Sequence, residues 1–282
     1  MAVDLHLHSL FSDGTDDPET IVQSAAELGL SAIALTDHDN LNGIARARAA
    51  AGSAGIEVIS GTELSVAWNG GPMHLLVYFL EPERGPLQDR LQEIQESRSN
   101  RNERMVDRLN ELGMEISYEE VSIEAGGTGM GRPHFAAVLV RKGHAESISH
   151  AFDLYLAAGR SAYLPRARLE AIEAIELATR SGAVTSIAHP HTLGVPDEGY
   201  WKAFEHLVGA GLGGIEAYYG EYSPEFRAHL AHVCSGLGIV ATGGSDYHGS
   251  YKPNLRIGIG KGDLVVPDQA LEELMAFRDR LR

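Results

Sequence analysis

Short apolar and β-branched runs recur along this 282-residue chain with helical segments between them, an alternation that restricts it to a parallel α/β architecture. Strands are expected near 3–8, 32–36, 56–60, 74–80, 183–188, 214–219 and 239–243. Helices are expected near 18–29, 41–54, 168–181, 200–210, 223–236 and 268–281. The strands number one fewer than in the common eight-stranded α/β barrel, so an irregular or incomplete barrel is expected.

Two stretches break the rhythm. Glu63–Trp68 and Met73–Leu80 flank Asn69-Gly70-Gly71, a turn sequence that favours a β-hairpin over a crossover helix. Residues 83–112 are charged with helical periodicity, and a glycine-rich run (GGTGMG, 126–131) and further short helices follow. Residues 100–163 are therefore read as a mostly helical insert beside the barrel mouth, the barrel itself being 1–99 and 164–282. The glycine run follows no convincing strand, so it reads as a hinge and not a dinucleotide loop.

Composition excludes some classes of function. Lys+Arg 23 against Asp+Glu 39 gives a formal charge of −16, which opposes gripping a long nucleic-acid duplex. It leaves room for a small phosphorylated ligand, because divalent ions reverse the local potential of a pocket. No apolar run approaches the ~20 residues that cross a bilayer, and the N-terminus carries no signal-type stretch. The one cysteine, Cys234, cannot form an internal disulfide; it reads as a buried helix residue in a cytoplasmic protein. Nothing in the sequence sets an oligomeric state.

Nine side chains carry the chemistry. His6 and His8 are two apart on a strand and leave the same face, which at a barrel strand's C-terminal end points into the mouth. Asp13 follows on the next loop. His38, Glu63, His74 and His189 stand at further strand ends, and Asp246 and His248 repeat the two-residue spacing. Mixed imidazole and carboxylate donors suit Mn²⁺, Fe²⁺ or Zn²⁺ better than Mg²⁺ or Ca²⁺. They are too many for one tetrahedral ion and enough for two or three.

Asp4-Leu5-His6-Leu7-His8-Ser9, Thr36-Asp37-His38-Asp39, Gly61-Thr62-Glu63, Ile187-Ala188-His189-Pro190 and Gly244-Ser245-Asp246-Tyr247-His248 together resemble the PHP (polymerase and histidinol phosphatase) family of metal-dependent phosphoesterases. The resemblance implies a distorted (β/α)₇ barrel holding two or three ions, with manganese the leading metal. Ser12-Asp13-Gly14 and Gly131-Arg132-Pro133-His134 resemble the branch with a helical insert. That branch includes nucleoside 3′,5′-bisphosphate phosphatases, 5′→3′ exonucleases and a cyclic ribose-phosphate phosphodiesterase. Asp13 stands where histidinol-phosphate phosphatases carry a histidine, which points away from histidinol phosphate.

Arg98 and Arg101 are three apart on one helix face, and Arg132 and His134 follow the glycine-rich run. Planar guanidinium forks suit a phosphate held away from the metals, and the resemblance implies substrate binding by Arg98, Arg101, Arg132 and His134. Surface ion pairing with Glu96 and Glu103 is the competing reading for the first two. The expected reaction is in-line attack on phosphorus by a hydroxide bridging two ions, with Asp246 at its centre. His191, His134 or a metal-bound water would protonate the leaving oxygen. Bisphosphorylated nucleosides or ribose cyclic phosphates are the leading substrates, and short RNA or DNA is an alternative. Tyr218, Tyr219 and Tyr222 either stack a base or pack the fold.

Two other classes compete. An amidohydrolase acting on a C–N bond shares the HxH, but no lysine follows a strand between it and His189 to bridge two metals. A non-catalytic binding module would have lost donors, and all nine positions are filled.

Overall fold

The apolar runs become strands because each buries nearly every side chain, as between barrel staves covered by helices. The computed structural model describes residues 2–69, 71–83, 85–126, 129–165, 168–196 and 199–281. β1 (Ala2–Leu7), β2 (Ala32–Leu35), β3 (Glu57–Trp68), β4 (Gly71–Tyr78), β6 (Val184–Ile187), β7 (Gly214–Tyr219) and β8 (Val240–Gly244) coincide with the expected runs. The two-residue strands β5 (Leu169–Glu170) and β9 (Val266–Pro267) are additional.

The strand order is β8-β7-β6-β4-β3-β2-β1-β9, with β5 beside β3. β1/β2, β2/β3, β6/β7 and β7/β8 are parallel, while β4 runs antiparallel to β3 and β6. The run at 56–60 and the hairpin arm from Glu63 prove to be one strand. Its first half pairs with β2 and its second with β4, the change of partner falling at Gly61. The ring nearly closes where the end of β1 meets the loop after β8. There His8 N–H donates to Tyr247 O (3.0 Å) and Asp246 N–H to His6 O (2.9 Å). Buried Asp4 fastens that seam, accepting from the amides of Ser245 (2.9 Å) and Gly258 (2.7 Å). The result is an α/β barrel-shaped sheet, as the strand count implied.

Helices α1 (Pro18–Glu27) and α2 (Ile44–Ala54) cover β2 with Ile21, Val22, Ile44 and Ala47 against Ile33 and Leu35. α3 (Pro86–Glu111) changes allegiance along its length. Leu87, Leu91 and Ile94 pack into the barrel's apolar core, whereas Met105, Val106 and Leu109 belong to a separate core. That second core is completed by α4 (Tyr118–Glu124), α5 (Arg132–Arg141) and α6 (Ile148–Ala151), through Val121, Phe135, Val138, Leu139 and Ala151. Arg98 and Arg101 lie at the handover. Helices α7 (Ala171–Arg180), α8 (Tyr200–Gly209), α9 (Pro224–Leu237) and α10 (Asp268–Leu281) finish the barrel wall. Among the described residues no helix is long and apolar enough to cross a membrane.

Candidate metal centre

All nine expected donors meet at one end of the barrel. β1 sends His6 and His8 inward, both fully buried, with their Nε2 atoms 3.1 Å apart. Glu63 is the hub. Its Oε2 lies 3.3 Å from His6 Nε2, 3.1 Å from His8 Nε2 and 3.4 Å from His38 Nδ1. Its Oε1 lies 2.8 Å from His74 Nδ1 and 3.0 Å from His189 Nε2. Asp246 Oδ1 approaches His6, His8 and His248 at 3.4, 3.5 and 3.4 Å. Asp13 reaches His248 Nε2 (3.3 Å), His38 Nε2 (3.6 Å) and His8 Nδ1 (3.6 Å).

Among the described residues, eight of these donors form three groups able to hold a cation: His8, Asp13, His38 and His248; His6, His8, Glu63 and Asp246; and His38, Glu63 and His74, with His189 outside all three. The residues fit metal ions on two physical counts. Facing imidazole nitrogens have lone pairs that repel unless a cation or proton lies between them. Among the described residues Asp13 Oδ1 is buried without a hydrogen bond, a cost that a cation removes.

The backbone contributes. Asp39, His189 and Asp246 are non-glycine residues at positive φ (54°, 29° and 54°), conformations that concentrate at sites where the surroundings impose them. Electrostatics follow from burial and from this crowding. Burial disfavours charge on Glu63, Asp13, Asp246, His8 and His6 alike. For Glu63 the surrounding imidazoles of His38, His74 and His6 overcome it and hold the carboxyl well below its usual range. Asp13 and Asp246 are depressed in the same way, Asp13 by His38 and His248 and Asp246 by Lys252 and His6. Burial and His248 push His8 down to about 4. His6 goes the other way: burial opposes its charge, but Glu216, Asp246 and Glu63 raise it well above the usual imidazole value.

Beside the donors opens a cavity of about 220 Å³ lined by Arg98, Arg101, Arg132 and Arg168 and sharing Asp13, His38 and His74 with the centre. Arg98 pairs with buried Asp39, which explains why this arginine is not splayed into solvent as the surface-pair reading required. Arg132 is packed between the rings of Phe152 (5.6 Å) and Tyr163 (5.5 Å) and donates to Leu156 O (3.1 Å). His134 does not line the cavity. Its Nδ1 accepts from Gly131 N–H (3.0 Å), capping α5, and its ring meets the edge of Tyr251. His191 stands on the rim with Nδ1 2.9 Å from Tyr222 Oη. Of the tyrosines, Tyr219 donates to Asp246 Oδ2 (2.9 Å) and Tyr222 packs in the barrel core, so both are committed to the fold. Cys234 is buried in α9 and its thiol is pushed up to about 12 by burial, which excludes a nucleophile. Gly127 and Thr128 of the glycine-rich run lie outside the described residues.

Sequence reasoning missed Glu216, Lys252 and Arg168. Fully buried Glu216 accepts from His6 Nδ1–H (2.8 Å) and from the His189 amide (2.6 Å), so it orients one donor and anchors the loop of another. Its signal was available: a carboxylate inside the otherwise apolar strand GIEAYY. Lys252 bonds Asp246 Oδ2 and Arg168 joins the cavity from the far side of the helical segment. Neither has a local signature.

Comparison with known proteins agrees with this geometry. Residues 4–158 match the PHP domain. Over 87% of the chain, it is 30% identical to a 3′,5′-nucleoside bisphosphate phosphatase of Chromobacterium violaceum, covering 87% of that protein. It is 29% identical to the 5′-3′ exoribonuclease Rnm of Salmonella typhimurium, over 87% of this chain and 84% of that one. A solved structure from Bifidobacterium adolescentis, described as a candidate metal-dependent phosphoesterase, superposes with a TM-score of 0.86. The two are 29% identical, and the match covers 98% of this chain and 96% of that one. The five motifs, the barrel and these matches place the chain in the PHP domain family, as a metal-dependent phosphoester hydrolase.

Proposed function

We propose that this enzyme hydrolyses a nucleoside 3′,5′-bisphosphate to the 5′-monophosphate and inorganic phosphate. The observation that carries this reading is the arginine cavity, which shares a wall with the donor cluster. A substrate with one phosphate at His6, His8, Asp13, His38, Glu63, His74, His189, Asp246 and His248 would place its second among Arg98, Arg101, Arg132 and Arg168. That cluster would hold divalent ions, manganese the leading metal, which would supply the Lewis acidity and the activated water that such hydrolysis needs.

The chain's own residues do the rest. The guanidinium forks bind and orient the remote phosphate, so the scissile one is presented in a single attitude. Glu216 and Tyr219 hold His6 and Asp246 in place. Burial and His189 lower His191, and burial lowers His134, so each imidazole holds its proton less readily than a free one. Neither side chain lines the cavities beside the donors, so protonation of the departing 3′-oxygen is assigned to water. Residues 100–163 are read as the unit that brings substrate selectivity to the barrel.

A 5′-phosphorylated RNA end offers the same pair of phosphates, and the exoribonuclease relative supports that second reading. The deciding experiment measures phosphate release by Mn²⁺-loaded enzyme from adenosine 3′,5′-bisphosphate, AMP and 5-phosphoribose 1,2-cyclic phosphate, beside cleavage of 5′-phosphorylated and 5′-hydroxyl oligoribonucleotides. Turnover of the bisphosphate without AMP supports the proposal. Cleavage of the phosphorylated oligonucleotide alone replaces it with the exonuclease.

A further inference from the structure

A second compartment of about 170 Å³ adjoins the arginine cavity and shares Arg98, His38 and Gly129 with it. Its chemistry is different. Apart from Arg98 and His38 it is lined by neutral groups: the amides of Asn42, Gln95 and Asn102, the hydroxyls of Ser99 and Ser122, and two rings, Phe11 and Tyr118. We infer that this groove receives the nucleobase of the substrate, so that the enzyme distinguishes nucleotides from ribose phosphates lacking a base. The inference rests on the bisphosphatase reading and names the part of the substrate that reading leaves unplaced.

Three observations support it. Rings beside uncharged hydrogen-bonding groups are what bases require, since every base has a stacking face and polar edges but no charge. Asn102 is almost fully buried, yet among the described residues its Oδ1 has no hydrogen-bond partner. Its Nδ2 donates to Met130 O (2.9 Å), which fixes the amide so that Oδ1 remains the acceptor. A buried acceptor left without a donor is costly, and it lines this groove.

The wall between the compartments is also built, not incidental. Gln95 donates to Asp39 O (2.8 Å) and Arg98 pairs with the Asp39 carboxylate, so one residue braces both sides. Gly129, at φ 62°, passes so close to the loop after β1 that a Cβ there would meet Phe11 O at 2.1 Å. Only glycine lets the chain close both compartments at that point. A phosphate held by Arg98 therefore has the donor cluster on one side and a neutral, ring-flanked recess on the other.

The test is calorimetric binding of AMP and of ribose 5-phosphate to the Mn²⁺-loaded full chain, with the wild type and Ser122→Trp, which fills the groove from α4. One stacked base should make AMP bind at least about tenfold tighter than ribose 5-phosphate to the wild type. In Ser122→Trp, AMP should fall to the affinity of ribose 5-phosphate, which itself stays unchanged. Equal binding of the two ligands by the wild type overturns the inference, as does a Ser122→Trp protein that binds AMP normally. If the wild type turns over the bisphosphate yet binds both ligands equally, the groove assignment alone falls. If it binds neither ligand and releases no phosphate, the functional reading falls with it. Since the wild-type comparison stands by itself, a variant that fails to fold does not rescue the inference.

Discussion

At the barrel mouth, nine donors from β1, β3 and β4 and from the loops after β1, β2, β6 and β8 gather in a cluster centred on Glu63. A few ångströms away, four arginines from three separate chain segments surround a cavity mostly by virtue of how helices pack. The first region is fixed by backbone direction: a strand that enters the barrel must present its alternate side chains at the mouth. The second depends on the handover in α3 between two apolar cores, which turns Arg98 and Arg101 toward the donors. A change in the donor cluster should therefore be felt by all its members at once, whereas changes in the cavity should be felt by substrate alone.

The sharpest way to break that contrast is Glu63→Gln. It removes the charge that His6, His8, His38, His74 and His189 share, and the loss of kcat should be on the order of 10³-fold with reduced metal content by elemental analysis. Normal metal content with normal kcat would show that the cluster is not cooperative.

Acid should expose the same coupling in the metal-free protein. His8 titrates at about 4 when folded, against roughly 6.5 for a free imidazole. Between those values the unfolded chain takes up a proton that the folded site refuses, so stability falls as pH drops from about 6.5 to about 4. The total is roughly 3 kcal/mol from this residue, read by denaturant midpoints in the presence of chelator. The raised pKa of His6 works above pH 6.5 and does not cancel it. A His8→Asn protein with an unchanged slope would refute the assignment.

Glu216→Gln keeps an acceptor for His6 Nδ1–H but replaces the carboxylate that also takes the His189 amide. Metal affinity should weaken by about 10- to 100-fold, measured by competition with a chelating dye. Unaltered affinity would make Glu216 a purely structural carboxylate.

The mildest change belongs to the cavity. Arg101→Ala should raise KM for the bisphosphate about tenfold, with metal content, kcat and melting temperature close to wild type. A fall in metal content here would erase the distinction between the two regions.

Much of the barrel was legible because its strands are short, apolar and separated by helices, and because the HxH spacing at the end of β1 declares a shared face. Glu216 was legible in principle, as a carboxylate in an apolar strand, yet its partners His6 and His189 lie 210 and 27 residues away in sequence. His134 shows the converse. A motif placed it near substrate, but local geometry spends its Nδ1 on the N-terminus of α5. Arg168 and Lys252 had no signal at all, since a lone cation in a loop looks alike whether it faces solvent or a site.

By itself the sequence determined the α/β barrel and the hairpin at Asn69 and named the nine side chains that converge at the barrel mouth, because periodicity and spacing are properties of neighbouring residues. Only the tertiary structure decided that Glu63 is the hub, that α3 serves two cores, and that a charged cavity and a neutral groove share Arg98. Those features are distances between residues remote along the chain, and they exist only once burial has drawn the segments together.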